Sequence, residues 1–317
     1  MYHRVAELNS DPWSLAVTPT HFADQLAVLR KYGRPISLQQ LIQVHGSGRV
    51  PKRSIVVTFD DGYADTLQYA RPLLEKFDIP ATVFITTEQI ERTGEFWWDE
   101  LDKIFLQPGR LPSELKLNVH GQTYHWKLGQ AARYSEAEAE NRRWQKAWDG
   151  APGSRLALYY AVWKLLKPMT HHQQQAVLEN LRAWAHTSAN ARFTHGTLKQ
   201  AEICRLAEGK LIDVGAHTVS HPQLSIQSAD CQKVEIETSK CVLEKILNRP
   251  ITSFSYPYGD YTSETLGIIR DAGFNCACST IEGAVGRHGN LFALPRFEVC
   301  DCNGEEFVKK LSRWFRR

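Results

Sequence analysis

Ile55-Val56-Val57-Thr58-Phe59-Asp60-Asp61-Gly62-Tyr63 is a β-branched apolar run that ends abruptly in two adjacent carboxylates and a glycine. No polar residue interrupts the run from Ser54 to Phe59 except Thr58, so it reads as a strand buried on both faces. Neighbouring strand residues point to opposite faces, so Asp60 and Asp61 can share one site only if the strand ends there. Gly62 permits that sharp departure. Two carboxylates at the end of a buried strand repel and desolvate each other, and a bound cation or a working acid–base pair accounts for the cost. A single Asp here would serve as an ordinary helix N-cap. Two in succession followed by Gly-Tyr point to chemistry instead.

Outward from this stretch, strand and helix signals alternate. Upstream, Thr18-Pro19-Thr20 opens a helix with Phe22, Leu26 and Leu29 on one face and Gly33 as its stop, and Ser37 caps a shorter helix through Leu38, Leu41 and Ile42. Downstream come a helix over 66–77 and a strand over 81–85, the strand–helix–strand mark of a parallel sheet. The alternation resumes with a helix over 197–208, a strand over 211–216 leading into His217, and a long helix over 229–247. It continues with a strand over 252–256 ending in Pro257-Tyr258-Gly259, a helix over 263–271, strands over 275–279 and 291–299, and a terminal helix over 305–315. Between about 91 and 194 the pattern breaks into a mostly helical, aromatic-rich stretch holding Trp97, Trp98, Trp126, Trp144, Trp148, Trp163 and Trp184. This is expected to be a helical insertion packed on a barrel formed by the rest of the chain, the whole making one domain over 1–317. Most of its tryptophans are expected to be core, with a minority available to stack on sugar rings.

Composition closes off several classes of function. At 317 residues with 43% apolar and 23% charged residues, the chain has ample material for a globular core. A net charge of +3 is too small to argue for nucleic acid or an anionic membrane, and no apolar run approaches the ~20 residues of a membrane span. With no signal peptide visible, the chain as given reads as cytoplasmic, and as extracytoplasmic if the true start lies upstream of Met1. Seven cysteines cannot all pair with one another, and none has the spacing of a double C-x-x-C zinc module. Cys276/Cys278 and Cys300/Cys302 are two apart, which on a strand puts each pair on one face as buried, reduced thiols.

His217-Thr218-Val219-Ser220-His221 is the second chemical feature. Two histidines four apart can chelate one metal, and like the Asp pair they follow a strand end. In a parallel barrel all strand C-termini share one face, where such folds keep their sites. Asp61, His217 and His221 then make a three-ligand site with an open position for water, and Asp60 is left to act as base. Pro257-Tyr258-Gly259 ends another strand on the same face, where a backbone N–H can serve an oxyanion.

Thr58-Phe59-Asp60-Asp61-Gly62-Tyr63, His217-Thr218-Val219-Ser220-His221-Pro222 and Ser255-Tyr256-Pro257-Tyr258-Gly259, in this order, resemble the first three motifs of the polysaccharide deacetylases, carbohydrate esterase family 4. The resemblance covers about 1–306 apart from the insertion. It implies an α/β fold, a distorted (β/α)7 TIM-like barrel, and metal-dependent removal of acetyl groups from N-acetylated, sometimes O-acetylated, sugars. It assigns Asp60 as catalytic base and Asp61, His217 and His221 as ligands of a divalent metal, with zinc the expected ion. The implied partner is an acetylated carbohydrate.

Two departures stand out. The family places an arginine two residues before the proline of its third motif, where this chain has Ser255. The family's last motif ends in Leu-x-His near the C-terminus, and nothing after Leu291 supplies that histidine. Met1-Tyr2-His3 resembles the opening of a circularly permuted subgroup, which makes His3 the general acid. Leu294-Pro295-Arg296 lies at a strand, and Arg296 is expected to restore the missing positive charge. These gaps keep two other readings open: a carbohydrate-binding barrel with impaired catalysis, and a metal-dependent hydrolase of another amide or acyl substrate.

Overall fold

The computed structural model describes every residue except Gly46, Gly48, Arg49, His120, Trp144 and Arg317, so the reading of Trp144 lies outside the described residues. The chain divides into two compact units: Met1–Glu7 with Leu15–Arg92 and Thr197–Arg317, and Leu8–Ser14 with Thr93–Gly196.

The first unit is α/β, built on five parallel strands: β1 (Val57–Phe59), β2 (Ala81–Ile85), β3 (Ile212–Ala216), β4 (Ser253–Ser255) and β5 (Cys276–Cys278). β1 and β2 are buried at every position, as the uninterrupted apolar runs require. Extended segments continue the sheet past both edges. Tyr2 donates its N–H to the Thr58 carbonyl and accepts from Asp60 N–H, while Leu294 bridges Cys278. Met1 and residues 297–299 then bond to each other, Met1 N to Phe297 O and Val299 N to Met1 O. The curled sheet is thereby closed, as expected of a distorted TIM-like barrel.

Helices pack outside this sheet: α1 (Pro19–Tyr32), α2 (Leu38–Val44), α3 (Arg71–Phe77), α4 (Gln200–Leu206), α5 (Ala229–Leu247), α6 (Ser263–Asp271) and α7 (Gly304–Trp314). α1 begins where Thr18 caps it and buries Phe22, Leu26 and Leu29, and Ser37 with Gln40 forms a complete capping box on α2. Phe22 and Tyr2 meet Phe59 at ring separations of 5.8 and 5.4 Å, joining the first helix, the N-terminal segment and β1 in one core. Gly215 in β3 lets Phe84 lie against the backbone, since a Cβ there would sit 2.4 Å from the Phe84 ring.

Several local readings differ from what is observed. The 54–59 run is split: Ser54–Ile55 pairs with Arg34–Pro35, and only Val57–Phe59 joins the main sheet. The helix over 66–77 opens with a π turn, Thr66–Ala70, before becoming α-helical at Arg71, and Pro72, which has no N–H to donate back into that turn, sits at the junction. The strand expected over 291–299 is a 3₁₀ turn, Leu291–Ala293, followed by an extended segment that bonds to its neighbours on both sides. Cys276 and Cys278 are both buried in the same apolar cluster, as their spacing implies. Cys300 and Cys302 do not share a face: Cys300 is exposed, with Lys310 Nζ 2.8 Å from its sulfur, and Cys302 is buried. They lie beyond the last extended pairing, so the alternation of a strand does not apply to them.

The second unit carries helices Trp97–Phe105, Glu136–Arg142, Arg155–Leu166 and His171–Ala185, but also an antiparallel hairpin of Glu114–Val119 and Gln122–Lys127. The hairpin is where the helical expectation fails: Leu115, Leu117 and Val119 alternate with exposed Glu114, Lys116 and Asn118 at strand period, and Gly121 turns the chain. Trp97 and Trp98 are buried, while Trp148 is half exposed at 52%. Arg192 is tied within this unit to Glu95 and Asp102. Among the described residues no helix is long and apolar enough to cross a membrane.

Candidate active site

Parallel pairing carries Phe59, Ile85, Ala216 and Ser255 to one end of the sheet, and the residues that follow them form the site. Asp60 and Asp61 leave β1 through a left-handed turn, with φ of 75° at Asp61 and 87° at Gly62. Gly62 N–H bonds back to Asp60 O, and a Cβ at this glycine would press on Ile85 at 3.2 Å. Asp61, Thr218, His221 and Tyr258 are four of the nine non-glycine residues with positive φ among the described residues. All four follow strand ends of this sheet. Such backbone costs on the order of 1–3 kcal/mol per residue and persists where surrounding structure fixes it.

Asp61 Oδ1 lies 3.4 Å from His217 Nε2 and 3.5 Å from His221 Nε2. One donor atom from each of the three residues falls within 4.8 Å of the others, and all three residues are buried. Donors held about 2.0–2.2 Å from a tetrahedral ion stand roughly 3.3–3.5 Å apart, so the residues fit a divalent ion of zinc's size with a fourth position open. His217 Nδ1 donates to the Ser255 carbonyl at 2.7 Å, which fixes the ring and leaves Nε2 as the nitrogen facing Asp61. Burial disfavours the charged form of His217, but the Asp61 hydrogen bond and the two carboxylates outweigh it and raise its pKa. Burial, assisted by the charge of His217, pushes His221 down to about 3, which keeps this imidazole neutral as a ligand must be.

Asp60 points to the other side of the turn. Arg296 grips it with both terminal nitrogens, Nη1 to Oδ1 at 2.8 Å and Nη2 to Oδ2 at 2.7 Å. The remaining guanidinium donors go to Thr58 Oγ1, Ser255 Oγ and the Ser279 carbonyl, so the buried cation is fully satisfied. Ser255 Oγ also donates to Asp60 Oδ2 at 3.0 Å. Burial alone would raise the Asp60 pKa, but the charge and hydrogen bonds of Arg296 hold it well below the carboxylate range. Asp61 is likewise held below its ordinary value, its burial being offset chiefly by the His217 hydrogen bond.

His3 is half-buried and follows directly on the Tyr2–Phe59 bridge, close enough for its charge to act on Asp60, Asp61 and His221. Its segment is anchored by Arg4 and Asp65, neither of which belongs to the motifs above. Arg4 Nε donates to buried Asp65 Oδ2 at 2.9 Å and stacks over the Tyr63 ring, while Val5 N–H takes Asp65 Oδ1. A salt bridge across 61 positions leaves no local signal. The Tyr258 ring stands edge-on to His221 at 4.6 Å, so the structure gathers Asp60, Asp61, His217, His221, Tyr258, Arg296 and His3 at this end of the sheet.

The polysaccharide deacetylase family profile matches residues 47–277, well over half the chain, and the chain belongs to that family. It is 33% identical over 82 residues to the poly-β-1,6-N-acetyl-D-glucosamine N-deacetylase of Escherichia coli strain K12, covering 25% of this chain and 12% of the relative. The enzyme of the same name from Staphylococcus aureus strain MSSA476 is 29% identical over 116 residues, covering 32% of this chain and 39% of the relative. The chain thus spans well under half the length of these curated relatives. The fold is shared with the Streptococcus pyogenes deacetylase PplD, solved in complex with acetate, at a TM-score of 0.56 and 20% identity over 98% of this chain and 96% of that one.

Proposed function

We propose that the protein is a metal-dependent deacetylase that removes acetyl groups from N-acetylated sugars of a glycan, with poly-β-1,6-linked N-acetylglucosamine as the first substrate class to test. The observation that carries this reading is the pairing of two units at one sheet end: the Asp61, His217, His221 cluster, and a separate ionised Asp60 held by Arg296. Family membership and the two N-deacetylase relatives support it.

Asp61, His217 and His221 would hold the ion, with zinc the expected occupant. When bound, it lowers the pKa of a water and polarises the acetyl carbonyl. Asp60 accepts the proton of the attacking water. Of its two oxygens, Oδ2 already takes hydrogen bonds from Arg296 and Ser255 whereas Oδ1 takes one from Arg296, so Oδ1 is assigned as the receiving atom. The backbone N–H of Tyr258 is assigned to the carbonyl oxygen as negative charge develops there. His3 protonates the departing amine, with Arg4 and Asp65 holding its segment against β1. Arg296 takes the part of the family's third-motif arginine from the extended segment after the Leu291–Ala293 turn, beside Ser255. This placement of His3 and Arg296 supports kinship with the circularly permuted subgroup.

The test is acetate release from poly-N-acetylglucosamine, chitooligosaccharides and peptidoglycan fragments by zinc-loaded and chelator-stripped protein. Release by the loaded form only is expected. Absence of release from every substrate would favour the binding-barrel reading.

A further inference from the structure

Two histidines four apart on a helix owe their spacing to helical hydrogen bonds, but His217 and His221 lie on an irregular loop. That loop has φ of 63° at Thr218 and 60° at His221, so its backbone supplies no regular ladder of its own. Inside it, Thr218 Oγ1 accepts from His221 N–H at 3.0 Å and donates to the His217 carbonyl at 2.5 Å. From the segment after β2, Thr87 and Glu88 donate their N–H groups to the carbonyls of Thr218 and Val219. The amides of the two central residues turn the other way. Val219 N–H and Ser220 N–H both reach Glu235 Oε2, at 2.8 and 2.9 Å, and Ser220 Oγ donates to Oε1 at 2.6 Å. Glu235 comes from the second turn of α5, which lies outside all three motifs.

We infer that Glu235 is a positioning residue for the metal centre: its carboxylate fixes the two successive amides between His217 and His221 and so sets the separation and aim of both imidazoles. The inference rests on the metal-site reading given above. Burial pushes the Glu235 carboxyl up from the ordinary Glu value against the pull of these hydrogen bonds, so the group is kept there at a cost. No other charged side chain bonds to the amides of Val219 and Ser220 among the described residues. Removing the carboxylate leaves two amides to find water and frees a strained loop to relax, which moves the ligands apart without touching either.

The test uses the full chain and zinc ion, with affinity read by competition against a chromophoric chelator. Glu235→Ala is expected to weaken zinc binding about 10- to 100-fold, the usual effect of removing a group that orients metal ligands. Its acetate-release kcat at saturating zinc should fall far less than its zinc affinity, and the metal-free protein should stay folded with a modest drop in melting temperature from the two unpaired amides. Glu235→Gln keeps one oxygen for both amides and should restore affinity to within a few-fold. Glu235→Asp, with the acceptor withdrawn by one methylene, should fall between the two and serves as the readout if the Ala variant does not fold. Equal zinc affinity in the parent and in Glu235→Ala or Glu235→Asp would overturn the positioning role alone. A parent protein that binds no divalent ion would overturn the metal site and this inference together.

Discussion

Arg296 and Asp60 form a bidentate, fully buried ion pair across 236 residues of sequence. Breaking such a pair from one side leaves an uncompensated charge in the interior, which costs about 3–5 kcal/mol. Arg296→Met should therefore lose about that much stability in urea denaturation, and the double variant Asp60→Asn/Arg296→Met should recover most of it. Additive losses in the double variant would show that the two side chains do not act as a pair.

The same pair sets a pH signature. The folded pKa of Asp60 is depressed, so its contribution is fully present above the unfolded value of about 3.9 and is lost as pH falls through the folded value. The stability difference between the parent and Asp60→Asn should hold steady from neutral pH to about pH 5 and shrink below about pH 4. A difference that grows on acidification would contradict the assignment.

At the metal cluster, ligand and base separate by variant. Asp61→Ala, His217→Ala and His221→Ala should each bind zinc at least about 100-fold more weakly. Asp60→Asn should keep the metal and lose acetate release. The barrel core is apolar and continuous without any ion, so chelation should abolish activity, leave the circular dichroism spectrum unchanged, and be reversed by added zinc. Stoichiometric metal in all three ligand variants would remove the site.

His3 carries the strongest kinetic prediction. A general acid contributes about 10²–10⁴-fold, so His3→Ala should slow release from an N-acetyl sugar by that factor with zinc retained. The loss should shrink for an acetyl ester with a phenolic leaving group, which departs without protonation. Asp65→Asn loosens the segment through Arg4 and should reproduce part of the His3→Ala defect. Near-full activity of His3→Ala on the N-acetyl sugar would remove His3 as the acid.

Trp97 and Trp98 are buried within their own unit, at 3% and 5% exposure. Trp97→Ala should cost about 3–5 kcal/mol of stability and leave the ratio of rates on long and short acetylated oligosaccharides unchanged. A selective rise in KM for the long substrates would assign the residue to glycan binding instead.

Much of the site could be read from the chain because its chemistry sits where strands end. The abrupt change from apolar residues to Asp60-Asp61-Gly62, and the His pair behind another strand, are local signals that short windows capture. Arg296 could be named from its position but not its grip, since nothing local links it to Asp60. Arg4, Asp65 and Glu235 were invisible for the same reason: each acts through a partner far away or on a neighbouring element. The hairpin that begins at Glu114–Val119 carries a period-2 alternation, but it is short and set among helix-forming residues whose pattern dominates that region. Cys300 and Cys302 have the spacing of a strand face without the strand that would give the spacing its meaning.

The reach of the Asp60–Arg296 pair has a consequence for biosynthesis. Asp60 leaves the ribosome 236 residues ahead of the guanidinium that holds it, which arrives only after nearly the entire barrel has been translated. Until then the first two strand-end carboxylates stand without their counter-charge, and the N-terminal segment lacks the 297–299 backbone against which it closes. Contacts of such long separation form late and slowly. A nascent or truncated chain that lacks residues 296–299 should therefore hold the first motif yet hydrolyse nothing, and activity should appear only once that segment is present.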